Sequence, residues 1–584
     1  MTSKKNAKRL ETRRAPSSAA ASRARAATSR QSQCLWRLFD TPIRAVGILA
    51  LAAVSTTVSQ LALSPVYGSI PSDLFHFEAT TATVLLALLS KLVLKRPLFG
   101  SVGRLLPVLA FWIPFVQSLS FKGSSTLGPR LGPFITETFT TLPLLFLSFL
   151  EVIDGSGKSL KDSSVSMNLV RGLGALAILR GFEKLSTTCV LKLLESGYFG
   201  IRSGLQLFVA ALYAACLPSR SLFLALPAIM HAVTYNVHFP LSSNTASLNQ
   251  TLQRNTDIAI LARHESTTGY ISVLQNVKQN YRVLRCDHSL LGGEWIYPPK
   301  GYENTSKVRE PVYAVFVMME AVRLIHYEGD ESADEQEHDL EDARKRLGIG
   351  TTSTALVSHG INTTTVEIDP LLERLATRYF GLPKNHTTVV DDAVQYVDKA
   401  LHGGAQRDTY DYIIHDVFTG GAEPVNLFTL EFLNGLSALL KPTGAIAINY
   451  AGDLILPSAR LVIRTILAVF PTCRIFREDE GPTSSSFPTS DFTNMVIFCT
   501  KTSAPLVFRE PREEDYLGSY ARRAYLSPKH EIDQSRFARK GGDEDADVLT
   551  KRNTAILTKW HRESAVGHWW IMRTVLPAEV WEKW

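Results

Sequence analysis

The first 240 residues carry a series of long apolar runs. The most extended one, Ala45 to Ser64, is twenty residues without a charge, enough for a helix to cross the ~30 Å hydrocarbon layer of a bilayer. The other runs are Ala79 to Leu94, Leu105 to Phe121, Phe134 to Leu150, Leu205 to Leu217 and Leu222 to Val237, with a weaker one at Leu169 to Phe182. This pattern predicts an α-helical transmembrane region over residues 42–240, with five to seven spans and six as the working number.

After residue 245 the apolar runs give way to alternation. Tyr270 to Leu274 and Tyr281 to Leu284 alternate with period two, which predicts a small antiparallel β subdomain, followed by a helix, over residues 245–330. Between residues 331 and 500, short β-branched stretches alternate with helical ones. That order is typical of an α/β, Rossmann-like, doubly wound sheet.

Three predicted strands of this α/β region end in carboxylates. A glycine loop at Leu347 to Thr352 opens it, and Glu367 lies 19 residues after Gly348, close to the ~20-residue offset at which such folds place an acid against ribose hydroxyls. The next two strands end at Asp392 and Asp416. Because ligands bind outside the carboxyl ends of parallel strands, these acids predict one nucleoside pocket.

The segment before the glycine loop does not fit the pattern of a buried strand. Glu331 to Arg346 contains ten charged residues in sixteen, whereas a central parallel strand is normally a continuous apolar run. The first strand of the sheet is therefore expected to be missing. Either another segment replaces it, or the sequence lacks a short apolar stretch that the transcript encodes, and the second alternative is favoured.

The two ends of the chain have compositions of their own. Residues 1–41 are basic and rich in Ala and Ser, which predicts a disordered tail. Residues 501–552 are charged and turn-rich and are expected to form a polar linker. Residues 553–584 hold five of the eight tryptophans, which predicts a helix that lies either at a membrane interface or docked on the domain.

Charge and cysteine content narrow the function classes. The net charge is +7, but Met1 to Arg37 contributes +9 of it, which leaves −2 on the remainder and argues against a nucleic-acid-binding surface. The six cysteines include no Cys-x-x-Cys pair, so buried thiols are expected, with no disulfide framework and no metal site.

The basic loops suggest an orientation in the membrane. Lys and Arg collect in the N-terminal tail and between Lys91 and Arg104, while Tyr67 to Glu78 has none. The positive-inside rule then places the N-terminus, and with six spans the α/β domain, on the cytosolic side. Four Asn-x-Ser/Thr sequons, at Asn249, Asn304, Asn362 and Asn385, offer a check, since some would be glycosylated in a lumenal domain.

Over Ile258 to Thr500 the sequence resembles the spermidine synthase-like family, which includes polyamine aminopropyltransferases and some S-adenosylmethionine methyltransferases. The matching motifs are His264-Glu-Ser266 with Tyr270, the Gly-Ile-Gly loop, Val366 to Asp369, Asp392-Ala393, Tyr410 to Asp416 and Pro424 to Thr429. The resemblance implies a membrane-anchored transferase that uses S-adenosylmethionine or its decarboxylated form, with a polyamine or other amine as acceptor. A homo-oligomer is one possible assembly.

The resemblance also implies roles for individual residues. Gly348 and Gly350 would flank the amino-acid or propylamine end of the donor, Glu367 would accept the ribose hydroxyls, and Asp392 would take the adenine amino group. Asp416 would accept a proton from the attacking amine, and Tyr270 would lie in the pocket with it.

The sequence departs from the aminopropyltransferase pattern at two places. Thr419 stands where the family has the second aspartate of a diamine site, and Ala314-Val315 replaces His/Gln-Glu after Tyr313. Aminopropyl transfer is the nearest label, and S-adenosylmethionine-dependent methyl transfer is the alternative. Two further alternatives are an impaired scaffold, because the first strand is expected to be missing, and a transport unit. No charged pair is found within a secure span, and this absence argues against the transport unit.

Overall fold

A computed structural model describes residues 18–93, 102–155, 165–195, 202–303, 306–327, 343–345, 350–402, 406–417, 424–481, 491–538 and 547–584. An N-terminal helical region leads into a small antiparallel sheet, then into a large mixed sheet. Two helices at the end of the chain pack against the N-terminal helical region and against the small sheet. The charged segment at residues 331–342 and Gly348 lie outside the described residues.

The N-terminal region consists of helices packed around α1. Their bounds are α1 (Ser18–Tyr67), α2 (Ser69–Asp73), α3 (His76–Val93), α4 (Leu106–Phe121), α5 (Ser124–Phe139), α6 (Thr141–Gly155), α7 (Val165–Glu195), α8 (Arg202–Cys216), α9 (Leu226–Thr234) and α10 (Ser242–Thr256). The expected disorder of residues 1–41 is wrong from Ser18 onward, where the chain is already helical. Alanine and arginine are among the strongest helix formers, which accounts for the difference. Residues 1–17 lie outside the described part.

The described helices include fewer membrane-spanning candidates than the predicted five to seven. Among the described helices one, Ile43–Tyr67 within α1, is long and apolar enough to cross a membrane, and the bent pair Ser124–Phe139 and Thr141–Ile153 would add a second if it formed one span. Several apolar runs form helices that are too short: α4 has 16 residues and α8 has 15, against the ~20 that a span needs.

A buried hydrogen-bonded pair lies among these helices. Glu137 is 1% exposed, lies within the run predicted from Phe134, and has its Oε1 2.9 Å from Nδ1 of His76. Gln60 Nε2 donates to the same oxygen at 2.9 Å. Because His76 lies outside the predicted apolar runs, this pair is not contained within one predicted span.

The small antiparallel sheet lies where the alternating pattern predicts it. Its strands, in spatial order, are β1 (Ile258–Glu265), β2 (Tyr270–Asn276), β3 (Tyr281–Cys286), β4 (Ser289–Trp295) and β5 (Glu310–Pro311). Ile271, Val273 and Leu284 lie on one face of this sheet. They pack against α13 (Pro370–Tyr379), the helix that follows Glu367. The other face packs on α10 and the end of the chain. This sheet is therefore fixed against the nucleotide-type fold.

The large sheet has eight strands in the order β15-β12-β13-β11-β10-β7-β8-β9. Its strands are β7 (Ala343–Lys345), β8 (Thr363–Glu367), β9 (Thr387–Val390), β10 (Tyr410–His415), β11 (Leu440–Asp453), β12 (Thr472–Arg477), β13 (Phe492–Thr500) and β15 (His530–Ile532). Pairing is parallel from β11 through β10, β7 and β8 to β9, and antiparallel on the other side of β11. The predicted α/β, Rossmann-like, doubly wound sheet is confirmed at this level.

The first strand of this sheet is present but short. Ala343 to Lys345 pairs in parallel with Thr363 to Thr365 on one side and with Tyr412 to Ile414 on the other. The expectation of a missing strand is therefore wrong, because three residues of backbone satisfy both neighbouring ladders in spite of the charged sequence. That the sequence lacks an apolar stretch stays a prediction, which sequencing the transcript across Glu331 to Gly350 tests.

Helices cover both faces of the large sheet. On one face, α14 (Ala393–His402), α15 (Leu430–Leu439) and α16 (Pro457–Val469) pack on Ile413, Ile446 and Ile448. On the other, α11 (Ala314–Met319), α12 (Thr351–Ser358) and α17 (Tyr520–Tyr525) pack on Ile414, Ala447 and Val496. Burial on both faces explains the apolar run from Ala445 to Ile448 in β11.

The predicted linker at residues 501–552 is wrong, because this segment is packed on the domain. It contributes β14 (Leu506–Phe508), which pairs with β6 (Ile325–Tyr327), then α17, and the edge strand β15. Arg522 forms a buried ion pair with Glu320, with Nη2 2.8 Å from Oε1. The charged residues of this segment suggested a solvated linker. Their partners lie far away in the sequence, so the ion pairs that neutralise them cannot be recognised from the segment alone.

The cysteine prediction needs two corrections. Cys473 on β12 and Cys499 on β13 are directly paired in the antiparallel ladder and form a disulfide. Cys189, Cys216 and Cys286 are free thiols, and the first two are exposed where buried thiols were expected. Direct cross-strand pairing, which spacing along the sequence does not reveal, brings the two sulfurs together.

The tryptophan-rich end of the chain is docked on the protein. It forms α18 (Thr558–Val575) and α19 (Ala578–Glu582), with Trp569 and Trp581 fully buried. Trp569 Nε1 donates to the carbonyl of Val66 at 3.0 Å. The buried guanidinium of Arg285, on the small sheet, donates to the carbonyls of Pro65 at 2.6 Å and Val580 at 2.8 Å. Of the two predicted positions for this segment, the docked helix is the one observed.

Candidate active site

The switch point of the large sheet lies between β7 and β10, where the strand order reverses. In open α/β sheets this is where ligands bind, beyond the carboxyl ends of the strands. Gly350 lies here as the residue before α12, with φ of +80°, a left-handed conformation that glycine adopts without a steric penalty. Gly348, the other predicted loop residue, is outside the described part of the chain.

Glu367 is the last residue of β8 and is 3% exposed. The backbone N–H of Asp369 donates to its Oε1 at 3.1 Å. Asp369 is itself held in place, because Oδ1 accepts the N–H of Leu371 at 2.9 Å and Oδ2 accepts the hydroxyl of Thr268 at 2.5 Å. The small sheet thus braces the strand end that carries Glu367.

Asp392 lies at the neighbouring strand end but has a structural task. Its Oδ1 accepts the backbone N–H of Val394 at 2.8 Å and of Gln395 at 3.1 Å, which caps α14. The preceding Asp391 binds Nζ of Lys399 at 2.6 Å. One oxygen of the predicted adenine-binding carboxylate is therefore already occupied by a helix cap.

An apolar cavity of about 60 Å³ joins these strand ends. Asp416 is the only one of the three predicted acids among its lining residues, whereas Glu367 and Asp392 are represented there by their neighbours Val366 and Ala393. The remaining lining residues include Tyr396, Val397, His415, Val417, Leu427 and Phe432. The lining is apolar apart from the strand end at Asp416, which suits the base of a nucleoside.

Asp416 follows β10 and is 9% exposed. Its Oδ1 accepts a hydrogen bond from Nδ2 of Asn449 at 2.9 Å. Asn449 lies on β11, one residue after the last ladder pair of the two strands, which joins His415 and Ile448. Sequence reasoning missed Asn449, although its place near the end of a predicted strand neighbouring Asp416 was a usable signal.

Tyr270 is not among these residues. It packs in a cluster with Tyr67, Phe121 and Trp584, and its ring centroid is 5.2 Å from that of Trp584. Burial raises the pKa of its hydroxyl above the ordinary value. The structure places Tyr270 in the core between the small sheet, the N-terminal helices and the docked end of the chain, so a direct part in the chemistry is not indicated.

No group of three or more His, Cys, Asp or Glu side chains that could hold a metal ion is found within the described residues. The residues at the switch point fit a different ligand. A glycine at positive φ, a buried carboxylate at a strand end and an apolar slot match the amino-acid end, the ribose and the base of an adenosyl sulfonium compound.

Comparison with known proteins decides the family. No protein-family model matches the chain. The chain is 45% identical over 547 residues to the N-terminal histidine N-methyltransferase of Emericella nidulans, an alignment that covers 92% of this chain and 96% of that protein. The chain belongs to the family of this methyltransferase.

Two other similarities are more limited. A polyamine aminopropyltransferase of Vibrio vulnificus is 38% identical over 86 residues, which is 14% of this chain and 28% of that protein. A probable spermidine synthase from Corynebacterium glutamicum, known by crystal structure, aligns with a TM-score of 0.34 and 16% identity over 47% of this chain and 91% of that one.

Membership of the methyltransferase family corrects the resemblance drawn from sequence. The assignment to spermidine synthase-like aminopropyl transfer is wrong, and with it the expected link to polyamine biosynthesis, because the near-full-length relative is a methyltransferase. The alternative of methyl transfer is the one supported. The protein is a transferase, and S-adenosylmethionine is its co-substrate.

Proposed function

We propose that this methyltransferase transfers a methyl group from S-adenosylmethionine to a nitrogen of an N-terminal histidine in a peptide or protein. The observation that carries the proposal is the 45% identity to the Emericella nidulans enzyme over 92% of this chain. With 92% of the chain aligned, the similarity extends beyond the transferase fold into the helical region.

In this reaction each of the described site residues has its own role. When bound, S-adenosylmethionine supplies a methyl group on a sulfonium, which a nitrogen lone pair attacks directly. Gly350 lets the backbone approach the donor, Glu367 accepts its ribose hydroxyls, and the apolar cavity takes its base. Asp416 accepts an N–H of the attacking group and the proton that this group releases, because a protonated nitrogen has no lone pair. Positioning of the two reactants does the rest.

The test uses the full-length purified protein, S-adenosylmethionine and three synthetic peptides. One peptide begins with histidine, the second carries the same sequence with an acetylated N-terminus, and the third begins with alanine and has histidine second. Fragment mass spectrometry locates the added methyl group. Methylation of the first peptide alone is expected, and a wild-type protein that binds S-adenosylmethionine but methylates none of them would falsify the proposal.

We further propose that the helical region associates with a lipid bilayer. Support comes from large apolar side chains of this region that are more than half exposed: Ile43, Phe77, Leu86, Phe139, Phe223 and Met230. Large apolar side chains exposed in one region of a protein are typical of a surface that contacts a partner or a membrane. Flotation of the full-length protein with phosphatidylcholine vesicles tests the proposal, and protein that stays at the bottom of the gradient contradicts it.

A further inference from the structure

Asn449 and Asp416 face the same side of the large sheet. Ile414 of β10 and Ala447 of β11 lie in the core under α11 and α12, and side chains two residues further along each strand share that face. Asp416 and Asn449 are those residues, and the 2.9 Å hydrogen bond between them spans the carboxyl ends of the two strands. The pair therefore lies beside the switch point, at the carboxyl ends of β10 and β11.

The carboxylate fixes which way the amide points. An ionised carboxylate only accepts hydrogen bonds, so the NH₂ group of Asn449 must face Asp416 and its Oδ1 must point away. That oxygen is buried, and no partner for it is found among the residues that the structure describes. A buried acceptor without a donor destabilises a folded protein. A ligand group that donates a hydrogen bond to it would therefore be bound favourably.

We infer that Oδ1 of Asn449 binds the acceptor substrate by accepting an N–H from it, next to the N–H that Asp416 accepts. This inference rests on the proposed function and assigns a specificity residue to it. Two acceptors at adjacent positions fix the orientation of a nitrogen-bearing group and aim its lone pair at the methyl carbon. The N–CH₃ bond forms as the C–S bond breaks, sulfur keeps the electron pair, and the released proton goes to Asp416. The amide of Asn449 takes no proton.

The first experiment measures binding by calorimetry with the full-length protein. Asn449→Leu is compared with wild type for S-adenosylhomocysteine, and then for the histidine-first peptide in its presence. The expected result is an unchanged Kd for S-adenosylhomocysteine and a Kd for the peptide raised on the order of tenfold, the effect of one lost hydrogen bond to a polar ligand group. Asn385→Ala is the matched control, since Asn385 is exposed and precedes β9 at the opposite edge of the sheet. It should change neither constant.

A second variant keeps the inference falsifiable if Asn449→Leu does not fold. Asn449→Asp preserves the shape and places a second carboxylate beside Asp416, which raises the pKa of one of the pair. The acid limb of the kcat/KM profile should then move upward by about one pH unit or more if the side chain at position 449 faces Asp416 beside the reacting nitrogen.

The outcomes separate the two claims. Wild-type protein that binds S-adenosylhomocysteine but neither binds nor methylates the histidine peptide overturns the proposed function and this inference with it. An active wild type together with an Asn449→Leu variant of unchanged peptide Kd, or an Asn449→Asp variant of unchanged pH profile, overturns this inference alone.

Discussion

The hydroxyl of Thr268 donates a 2.5 Å hydrogen bond to Oδ2 of Asp369, and this contact joins the small sheet to the strand end of the donor site. Asp369 in turn donates its N–H to Glu367. Two hydrogen bonds therefore connect a hairpin of the small sheet to the carboxylate that should hold ribose. The hairpin itself is held to the helical region, because Arg202 of α8 forms a buried ion pair with Glu265.

Thr268→Val should weaken donor binding without removing it. The substitution keeps the volume but leaves Oδ2 of Asp369 without this donor, and we expect the Kd for S-adenosylmethionine to rise about three- to tenfold, the effect of about 1 kcal/mol. Calorimetric titration measures the change. Thr267→Ala, one residue earlier in the same turn, is the control and should leave the Kd unchanged.

Glu367→Gln should have a larger effect on the same constant. Replacing the charged acceptor by a neutral one of the same shape removes charge-assisted hydrogen bonds, which are worth about 1.5–3 kcal/mol. The Kd for S-adenosylmethionine should therefore rise at least tenfold while the thermal midpoint changes little. An unchanged Kd would show that the ribose is bound elsewhere.

Asp416→Asn separates chemistry from donor binding. The variant keeps the shape of the side chain but cannot accept a proton, so kcat should fall about a hundredfold, in the range typical of a lost general base. Donor affinity should stay within twofold. A variant with full kcat would remove Asp416 from the reaction.

Buried histidines at the docked end of the chain predict loss of stability in mild acid. Burial lowers the pKa of His568 to about 4 and that of His288 well below its ordinary value. The unfolded chain takes up these protons near pH 6.5, whereas folded His568 does not until about pH 4. Stability is therefore full above pH 6.5 and falls between 6.5 and 4, by about 1.4 kcal/mol per pH unit for each such histidine.

Thermal midpoints measured from pH 7.5 to 4.5 test this dependence. His568→Gln retains a polar group opposite Ser289, whose Oγ lies 2.6 Å from Nε2 of His568. The variant should show a shallower decline than wild type. Parallel curves for the two proteins would contradict the assignment.

The pairing of Cys473 with Cys499 gives a prediction about stability and compartment. Reduction, or Cys473→Ala, should lower the free energy of unfolding by about 3 kcal/mol for a sequence separation of 26 residues. Alkylation of protein from intact cells, before and after reduction, shows whether the bond forms there. A reduced pair would agree with the cytosolic orientation predicted from loop charge, and an oxidised pair with an oxidising compartment.

The sequence predicted the parts of the site that depend on local signals. A glycine at a strand-to-helix turn and acids at the ends of apolar strands are readable because parallel strands are buried and their carboxyl ends align. Glu367 and Asp416 lie at strand ends as this reasoning predicted, and their roles in the site stay predictions. Asp392 was found too, but its helix-capping bonds depend on where α14 begins.

The misses have long-range causes. Tyr270 was assigned to the pocket from a family motif, whereas Trp584 and Tyr67 enclose it from the two ends of the chain. The segment around Arg522 looked like a linker because its partner, Glu320, lies some two hundred residues earlier. β7 was expected to be absent because its side chains are charged. The strand is defined by backbone hydrogen bonds to β8 and β10, which do not depend on those side chains.

The guanidinium of Arg285 has a practical consequence for anyone who wishes to study the transferase fold by itself. Its carbonyl partners, Pro65 and Val580, lie more than five hundred residues apart along the chain and flank both sheets. A fragment cut to residues 258–500 would lack both carbonyl partners and would expose the apolar side chains that the two ends of the chain cover, so it should yield insoluble material.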